Sequence, residues 1–247
     1  MPSMIFISNP NEIQRTQNNL PALSSQPLNY LLPDIRKTPM TATSPPSAGS
    51  LKTLREEATN CRDCPLWKDA TQTVFGEGPQ HAQIMLIGEQ PGDKEDLAGK
   101  PFVGPAGQML DRALEEAGID RSKVYVTNAV KHFKFLGRGK FRLHQKPNTS
   151  EIRACRQWYE RELRSIKPML VVAMGATAAQ SVFGKTTPIN KNRGHLIDLE
   201  DGIKALVTVH PSYLLRLPDA QAKAQEYERF INDLKIAANV LREKKAA

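Results

Sequence analysis

Three polar residues in this sequence stand where apolar runs end, and their side chains could carry acid–base or hydrogen-bonding chemistry. Glu89 follows a run that stops at Gly88, Asn128 ends the run VYVTN, and His210 follows the run ALVTV. If these runs are parallel strands, their carboxyl ends meet in one crevice and bring a carboxylate, an amide and an imidazole together. Each residue also has a purely structural interpretation, as an exposed acid, a strand-end amide or a turn histidine.

The three cysteines form a second candidate site. Cys61 and Cys64 are separated by two residues, and Cys155 lies in a predicted helix. Three cysteines in a chain of 247 residues do not make a disulfide framework, whereas a Cys-x-x-Cys pair can bring two thiolates to one metal. With His132 as a fourth ligand, the set fits zinc or an iron–sulfur cluster, because both accept thiolate and imidazole. Packed thiols and an unligated turn are the structural alternative.

A basic stretch at residues 131–147 is the third candidate. It contains six Lys or Arg, and no acidic residue occurs between Asn128 and Glu151. It also contains two histidines, His132 and His144. A localised cluster of cations suits a polyanion such as nucleic acid, in line with the formal net charge of +8. A charge run alone is more typical of a solvated surface loop.

Alternating strands and helices predict the frame that positions these groups. Four apolar runs have the pattern of buried parallel strands: residues 82–88, 124–128, 169–175 and 205–211. Helices are predicted at residues 51–60, 104–118, 151–166 and 176–184, and after the last strand. This order predicts an α/β fold with a mainly parallel, four-stranded central sheet and helices on both faces. Residues 195–199 are a candidate for an extra edge strand.

The composition predicts one folded domain and a tail. Residues 1–50 are rich in Pro, Ser, Thr and Asn without a sustained period, so we expect a disordered N-terminal tail. Residues 51–247 are long enough for one α/β domain. No apolar run approaches the roughly 18 residues of a membrane span, and residues 4–7 are too short for a signal peptide. We therefore expect a cytoplasmic monomer with no membrane contact.

Taken together, four segments resemble a known family. In chain order they are GEQPGDKEDLAGKPFVGPAGQMLD, VYVTNAVKHFKF, GRGKFRLHQKP and HPSYLL. They are similar to the uracil-DNA glycosylase superfamily and, within it, to the UdgX type, which is close to the iron–sulfur family-four enzymes. The resemblance implies a three-layer α/β/α fold, a 4Fe-4S cluster and action on uracil in single- or double-stranded DNA.

The resemblance also implies a ligand set for the cluster. Family-four enzymes have a cysteine after the lysine that follows the second strand, whereas UdgX-type proteins resemble this chain in having a histidine there. The implied ligands are therefore Cys61, Cys64, His132 and Cys155.

Roles in the crevice follow from the same resemblance. Gln90, Phe102 and Asn128 would bind uracil, with the ring of Phe102 stacked on the base and the amide of Asn128 reading its polar edge. His210 would donate to a uracil oxygen as the glycosidic bond breaks. Glu89 would stabilise the positive charge that develops on the sugar or orient the attacking group.

A histidine in the basic insert carries the most specific implication. UdgX-type proteins have an insert that ends in a basic run and a histidine, which attacks the sugar and leaves the protein covalently joined to DNA. Here the histidine is His144; Phe141 replaces a basic residue of the usual pattern, and Leu143 replaces an isoleucine. Lys140 and Arg142 are expected to contact the DNA backbone.

Two further expectations concern the surroundings of His144. Leu215 and Arg216 are expected to wedge into the gap left by an extruded base. To attack, the imidazole must be neutral, and its protonated form should be disfavoured by four cationic neighbours in the insert, Arg138, Lys140, Arg142 and Lys146.

Three functions stay open on the sequence. The first is a uracil-DNA glycosylase that is trapped on its product through His144. The second is an ordinary hydrolytic glycosylase in which the insert only grips DNA. The third is a non-catalytic iron–sulfur protein that binds DNA.

Overall fold

The computed structural model describes residues 50–199 and 202–246. The predicted N-terminal tail, apart from Ser50, lies outside the described residues. Within the described ranges, no helix is long and apolar enough to cross a membrane.

Strands and helices alternate along the domain, as predicted. The strands are β1 (Ile84–Gly88), β2 (Val124–Asn128), β3 (Phe135–Arg138), β4 (Phe141–His144), β5 (Leu170–Met174), β6 (Leu196–Asp198) and β7 (Lys204–Thr208). The helices are α1 (Leu51–Thr59), α2 (Asp93–Ala98), α3 (Pro105–Glu116), α4 (Thr149–Ile166), α5 (Ala176–Phe183), α6 (Ile189–Asn192), α7 (Pro211–Arg216) and α8 (Ala220–Ala246).

The central sheet has five strands in the order β2-β1-β5-β7-β6. Its pairs are parallel except for β6, which runs antiparallel to β7. The mainly parallel sheet is therefore confirmed, but the prediction of four strands was wrong. The candidate edge segment forms β6, whose three residues pair with Lys204–Leu206 of β7 through Asp198, Ile197 and Leu196. Its short, partly exposed pattern carries little apolar periodicity, so the sequence signal was weak.

Two apolar layers cover the sheet and give the three-layer α/β/α arrangement. Leu86 and Val126 point into a cluster formed with α3, α7 and α8. Met85 and Tyr125 point to the opposite face, where α4 and α5 pack. Because both faces of β1 and β2 are buried, all five residues of each strand are buried and read as a continuous apolar run rather than an alternating one.

The basic stretch forms a hairpin where we expected a loop. Strand β3 pairs antiparallel with β4, with Phe135 opposite His144 and Arg138 opposite Phe141. Gly139 occupies the turn with a φ of 58°, a left-handed conformation that glycine adopts without steric cost. Side chains of a strand alternate between its two sides, so the hairpin has two chemically different faces.

One of the six cations in the basic stretch does not lie on the surface. Lys131 is fully buried, and its Nζ contacts Glu162 Oε2 at 2.7 Å, Thr127 Oγ1 at 2.5 Å and the carbonyl oxygen of Asn128 at 2.9 Å. Glu162, also fully buried, accepts a further hydrogen bond from the hydroxyl of Tyr125 at 2.9 Å. This network joins the end of β2 to α4.

We expect Lys131→Met to destabilise the domain by about 3–5 kcal/mol, because it leaves the buried Glu162 carboxylate without its cation. The measurement is urea unfolding, and the double variant Lys131→Met/Glu162→Gln should recover much of the loss. Lys204→Met is the matched control, since the Lys204–Asp198 pair is exposed and should contribute no more than about 1 kcal/mol. Equal losses in the buried and exposed variants would contradict this assignment.

Candidate active site

Three of the predicted site residues meet at the end of β1. Gly88 pairs with Asn128 across β1 and β2. A Cβ atom at Gly88 would lie 2.4 Å from Asn128 Oδ1, 2.6 Å from Phe102 Cζ and 3.2 Å from His210 Nε2. Only glycine leaves room for an amide, an aromatic ring and an imidazole around this strand end. The structure thus forms the crevice that the sequence pattern predicted.

The N-terminus of α7 determines the proton position on His210. The backbone N–H of Ser212 donates to His210 Nδ1 at 3.2 Å, and the Ser212 hydroxyl lies 2.8 Å from the same nitrogen. Because a backbone N–H can only donate, Nδ1 accepts and the neutral ring carries its proton on Nε2. Burial, followed by the nearby Arg216 guanidinium and His144, lowers the pKa of His210 to about 4. At neutral pH, His210 therefore presents a neutral N–H donor beside Gly88.

Phe102 is held in a strained backbone conformation. Its φ of 57° lies in the left-handed region that non-glycine residues rarely adopt. A Cβ at Gly107, in the first turn of α3, would lie only 1.7 Å from the Phe102 carbonyl oxygen, so the close approach requires glycine. The buried carboxylate of Glu95 binds the N–H of Gly92 at 3.1 Å and that of Gly104 at 2.7 Å, which ties the segment on both sides. Strain of this kind is common at functional sites.

Glu89 and His144 face each other although they are far apart in sequence. Glu89 Oε1 lies 3.6 Å from His144 Nε2. The other carboxylate oxygen, Oε2, accepts a hydrogen bond from the hydroxyl of Thr177 at 2.7 Å. Thr177 at the start of α5 therefore orients the carboxylate toward the hairpin.

Gln90 binds both ends of the hairpin. Its Oε1 accepts from the Lys134 N–H at 3.2 Å, and its Nε2 donates to the carbonyl oxygens of Lys134 and Gln145 at 3.1 and 3.0 Å. The same Nε2 lies 3.0 Å from His144 Nε2. Because the Lys134 N–H can only donate, the amide atom that it contacts is the oxygen, and the NH₂ group of Gln90 faces His144. An amide NH₂ group can only donate, so the imidazole accepts through Nε2. The predicted contact of Gln90 with uracil stays a prediction.

The charge on His144 is governed by groups other than those we expected. Burial lowers the pKa of His144, the Glu89 carboxylate raises it, and the Arg216 guanidinium lowers it again. We expected the cations of the insert to lower this pKa, but none of them is among the groups that shift it. Arg142 is paired with carboxylates, and the strongest cationic influence comes from α7.

Arg142 anchors the hairpin to α2. Its Nε lies 2.5 Å from Asp93 Oδ1, and its Nη1 lies 2.6 Å from Asp96 Oδ2. Asp96 is fully buried and also accepts the Thr71 N–H at 3.1 Å. The guanidinium lies over the ring of Phe133. The predicted phosphate contact of Arg142 therefore competes with an intramolecular anchor and stays a prediction.

The other predicted DNA-contacting residues lie at the surface. Lys140 is exposed at the tip of the hairpin. Leu215, at the end of α7, is 38% exposed. Arg216 donates to the Ser212 hydroxyl at 3.0 Å, beside the hydrogen bond that orients His210. Their contacts with DNA stay predictions.

The three cysteines are buried in one apolar cluster with Trp158. The Trp158 Nε1–H donates to Cys61 Sγ at 3.2 Å, and the Lys131 backbone N–H donates to Cys155 Sγ at 3.2 Å. Burial raises the pKa of the Cys61, Cys64 and Cys155 thiols, that of Cys155 to about 12. Deprotonated sulfurs in this environment would require a compensating cation, which bound iron or zinc supplies.

His132 presents one free ring nitrogen. Its Nε2 lies 2.9 Å from Thr73 Oγ1, and the Thr73 hydroxyl donates its single proton to the Ala58 carbonyl oxygen at 3.0 Å. Oγ1 therefore accepts from Nε2–H, which leaves Nδ1 with the lone pair that a metal ligand needs. The chemistry of these donors, three thiols and one imidazole nitrogen, therefore suits a thiolate-rich group. In the described ranges, no three or more His, Cys, Asp or Glu side chains are grouped so that they could hold a metal ion.

Sequence reasoning missed several residues that shape the site. Asp93 and Asp96 stand three positions apart in the segment GEQPGDKED, the spacing at which helical side chains share a face. Thr177 lies in the segment that follows β5. The effect of Arg216 on both histidines carries no local sequence signal, because it depends on how α7 packs.

The fold is that of a DNA base-excising family. The model of the uracil DNA glycosylase superfamily matches residues 75–235, more than half of the chain, and the chain belongs to that superfamily.

Curated relatives agree with the family assignment. A type-4 uracil-DNA glycosylase of Thermotoga maritima is 40% identical over 167 residues, which cover 67% of this chain and 83% of the relative. The type-4 uracil-DNA glycosylase of Archaeoglobus fulgidus is 34% identical over 186 residues, 72% of this chain and 88% of that protein. A type-5 uracil-DNA glycosylase of Pyrobaculum aerophilum is 28% identical over 155 residues, 56% of this chain and 64% of that protein.

We expect Arg216→Gln to raise the pKa of both His210 and His144, because the guanidinium lowers both. Titration of the imidazole signals by NMR is the measurement. Arg138→Gln, which removes a cation from the far end of the hairpin, is the control and should leave both titrations in place. Unchanged His210 and His144 titrations in Arg216→Gln would contradict the electrostatic role of α7.

Proposed function

We propose that this protein excises uracil from DNA and then becomes covalently linked to the abasic sugar through His144. Membership of the superfamily and the type-4 relatives support uracil excision. One observation carries the covalent step: His144 Nε2 lies 3.6 Å from the carboxylate of Glu89 at the mouth of the crevice. Uracil in a duplex must be extruded to reach this site, at a cost of a few kcal/mol, whereas uracil in a single strand is already accessible.

Uracil is held between the ring of Phe102 and the amide of Asn128. The close packing of both groups around Gly88 supports this placement, because the base can then enter at the strand end without meeting a Cβ. Asn128 has a donor and an acceptor that match the polar edge of uracil. The Lys131 Nζ that binds the Asn128 carbonyl oxygen keeps this residue in position.

His210 stabilises the leaving base. Cleavage of the bond between C1′ and uracil N1 moves the electron pair of that bond onto the base, where negative charge collects on the oxygens. A neutral imidazole with its proton on Nε2 donates to such an oxygen without having to be protonated first. A pKa of about 4 keeps the ring in this form throughout the neutral range.

Glu89 and His144 act on the sugar. The carboxylate stabilises the positive charge on the sugar as the base leaves. The lone pair on His144 Nε2 then forms a bond to C1′, and the resulting imidazolium is balanced by Glu89. The Gln90 NH₂ group shares its two protons among Nε2 and the carbonyl oxygens of Lys134 and Gln145. It can therefore release Nε2 and donate to the two carbonyl oxygens alone. Capture by a ring already in place competes with water through its high effective concentration.

The cluster has a structural role in this proposal. Cys61, Cys64, His132 and Cys155 would hold a 4Fe-4S group and supply a crosslink between the end of α1, the segment after β2 and α4. The type-4 relatives and the N–H donors to two of the sulfurs support the assignment.

We expect the wild-type protein, mixed with a single-stranded oligonucleotide containing one uracil, to give one adduct per protein molecule that survives heat and detergent. His144→Ala should lose the adduct, because no nucleophile remains beside Glu89. Denaturing gel electrophoresis measures the adduct, and strand scission at abasic sites measures free product. His81→Ala, which changes an exposed histidine before β1, is the matched control.

Two results would contradict the covalent proposal. Multiple turnovers to free abasic DNA without an adduct would identify an ordinary hydrolytic glycosylase. Retention of DNA without any release of uracil would identify a non-catalytic DNA-binding protein.

We expect the purified protein to be brown, to absorb visible light and to contain four iron and four sulfide per chain. His132→Cys should retain the colour because it supplies a thiolate at the same place, whereas Cys155→Ser should lose it. Absorption spectroscopy with iron, sulfide and zinc analysis is the measurement. A colourless protein that contains one zinc per chain would contradict the cluster and identify a zinc site.

A further inference from the structure

The hairpin exposes apolar side chains on the side that faces away from the domain. Leu136 is 60% exposed, Leu143 is 40% exposed and Phe141 is 66% exposed. The pairing places Leu136 opposite Leu143 and Arg138 opposite Phe141, so these four side chains share one side, which we call the outer face. Exposure of three large apolar groups on one short hairpin indicates a binding surface.

The contacts that attach the hairpin to the domain lie on the face opposite the outer face. The opposite face carries Phe135, Arg142 and His144, and it makes the contacts that attach the hairpin to the domain. Phe135 packs against Phe133 with ring centroids 5.1 Å apart. The outer side chains are therefore available for a ligand.

The exposed cations near the outer face indicate a polyanionic ligand. Arg138, Lys140 and Lys146 are exposed and make no ion pair within the part of the chain that the structure describes. The neighbouring sequence offers no carboxylate between Asn128 and Glu151. An exposed aromatic ring among unpaired cations is the combination by which proteins bind single-stranded nucleic acid, with bases stacked on the ring and phosphates near the cations.

We propose that the outer face of the hairpin is a stacking platform for single-stranded DNA, on which Phe141 stacks with a base near the uracil nucleotide. Phe141 lies three residues from His144 along β4, about 10 Å at 3.3 Å per residue, so the platform and the crevice can engage one strand. An unpaired base offers its face to the ring, whereas a base inside a duplex has both faces covered. The platform therefore favours unpaired over duplex DNA. One part of this inference rests on the proposed function, namely that the bound strand is the one that contains uracil.

Binding of an undamaged oligonucleotide tests the platform without requiring catalysis. The probe is a single strand that contains 2-aminopurine, with affinity measured by anisotropy and stacking measured by quenching of the base fluorescence. Phe141→Ala and Phe141→Leu should each weaken binding about five- to a hundredfold and relieve the quenching, because both remove the ring. Phe141→Trp should retain both signals.

Salt dependence separates stacking from charge contacts. Phe141→Ala should leave the slope of log affinity against log salt unchanged, whereas Lys140→Ala should reduce it by about one. Binding to an undamaged duplex of the same sequence should change little in Phe141→Ala. Leu196→Ala is the matched control, because Leu196 is 41% exposed on the edge strand β6 and should leave all three measurements unchanged.

Three outcomes would overturn the platform. Phe141→Leu could bind like the wild type, duplex binding could weaken as much as single-strand binding, or Phe141→Ala could abolish a concentration-dependent dimer seen by ultracentrifugation, which would assign the face to a second copy of the chain. Uracil release from the same oligonucleotide is scored separately. Binding that depends on Phe141 without uracil release would overturn the proposed function and support the platform. Uracil release by the wild type, together with unchanged binding in Phe141→Ala, would support uracil excision and overturn the platform.

Discussion

The position of His144 depends on the ion pairs that join Arg142 to Asp93 and Asp96. Arg142 and His144 are two residues apart on β4, so their side chains lie on the same face of the hairpin, and fastening one directs the other toward the crevice. Asp96 is fully buried, and a buried carboxylate without its cation is costly, so α2 requires the hairpin as much as the hairpin requires α2. The geometry of the candidate nucleophile is thus tied to the stability of α2, to which the proposed function assigns no substrate contact.

The two histidines at the crevice are kept neutral by different surroundings and suited to different tasks. His210 receives a hydrogen bond on Nδ1 and therefore offers a donor from Nε2. His144 faces the Gln90 amino group and therefore offers a lone pair from Nε2. Burial lowers the pKa of both rings, and Arg216 adds to the effect on both. In the proposed reaction, complementary tautomers would allow one imidazole to assist the leaving base while the other attacks the sugar.

The cations of the basic stretch, which appear uniform in the sequence, are divided among three environments. Lys131 is buried against Glu162 and supports Asn128. Arg142 and Lys134 are paired with carboxylates from α2 and α4, so they position the hairpin. Arg138, Lys140 and Lys146 remain at the surface, and Arg138 lies opposite the exposed Phe141 across the hairpin. In the proposed platform, Phe141 would supply a stacking surface at the position where the UdgX-type pattern has a basic residue.

The local patterns of the sequence determined the strands and the principal helices, because buried parallel strands have long apolar runs. They also determined the strand ends at which Glu89, Asn128 and His210 stand, because the carboxyl ends of such strands share one edge. They indicated the fifth strand only as a candidate edge segment and did not reveal the hairpin, because the half-exposed residues of both lack a strong period. Only the tertiary structure decided which cations are buried and which ring nitrogen of each imidazole carries the proton. It also decided that Gln90 binds both ends of the hairpin. Those properties arise from contacts between segments tens of residues apart, such as Arg142 with Asp93 or His144 with Glu89, and no local spacing encodes them.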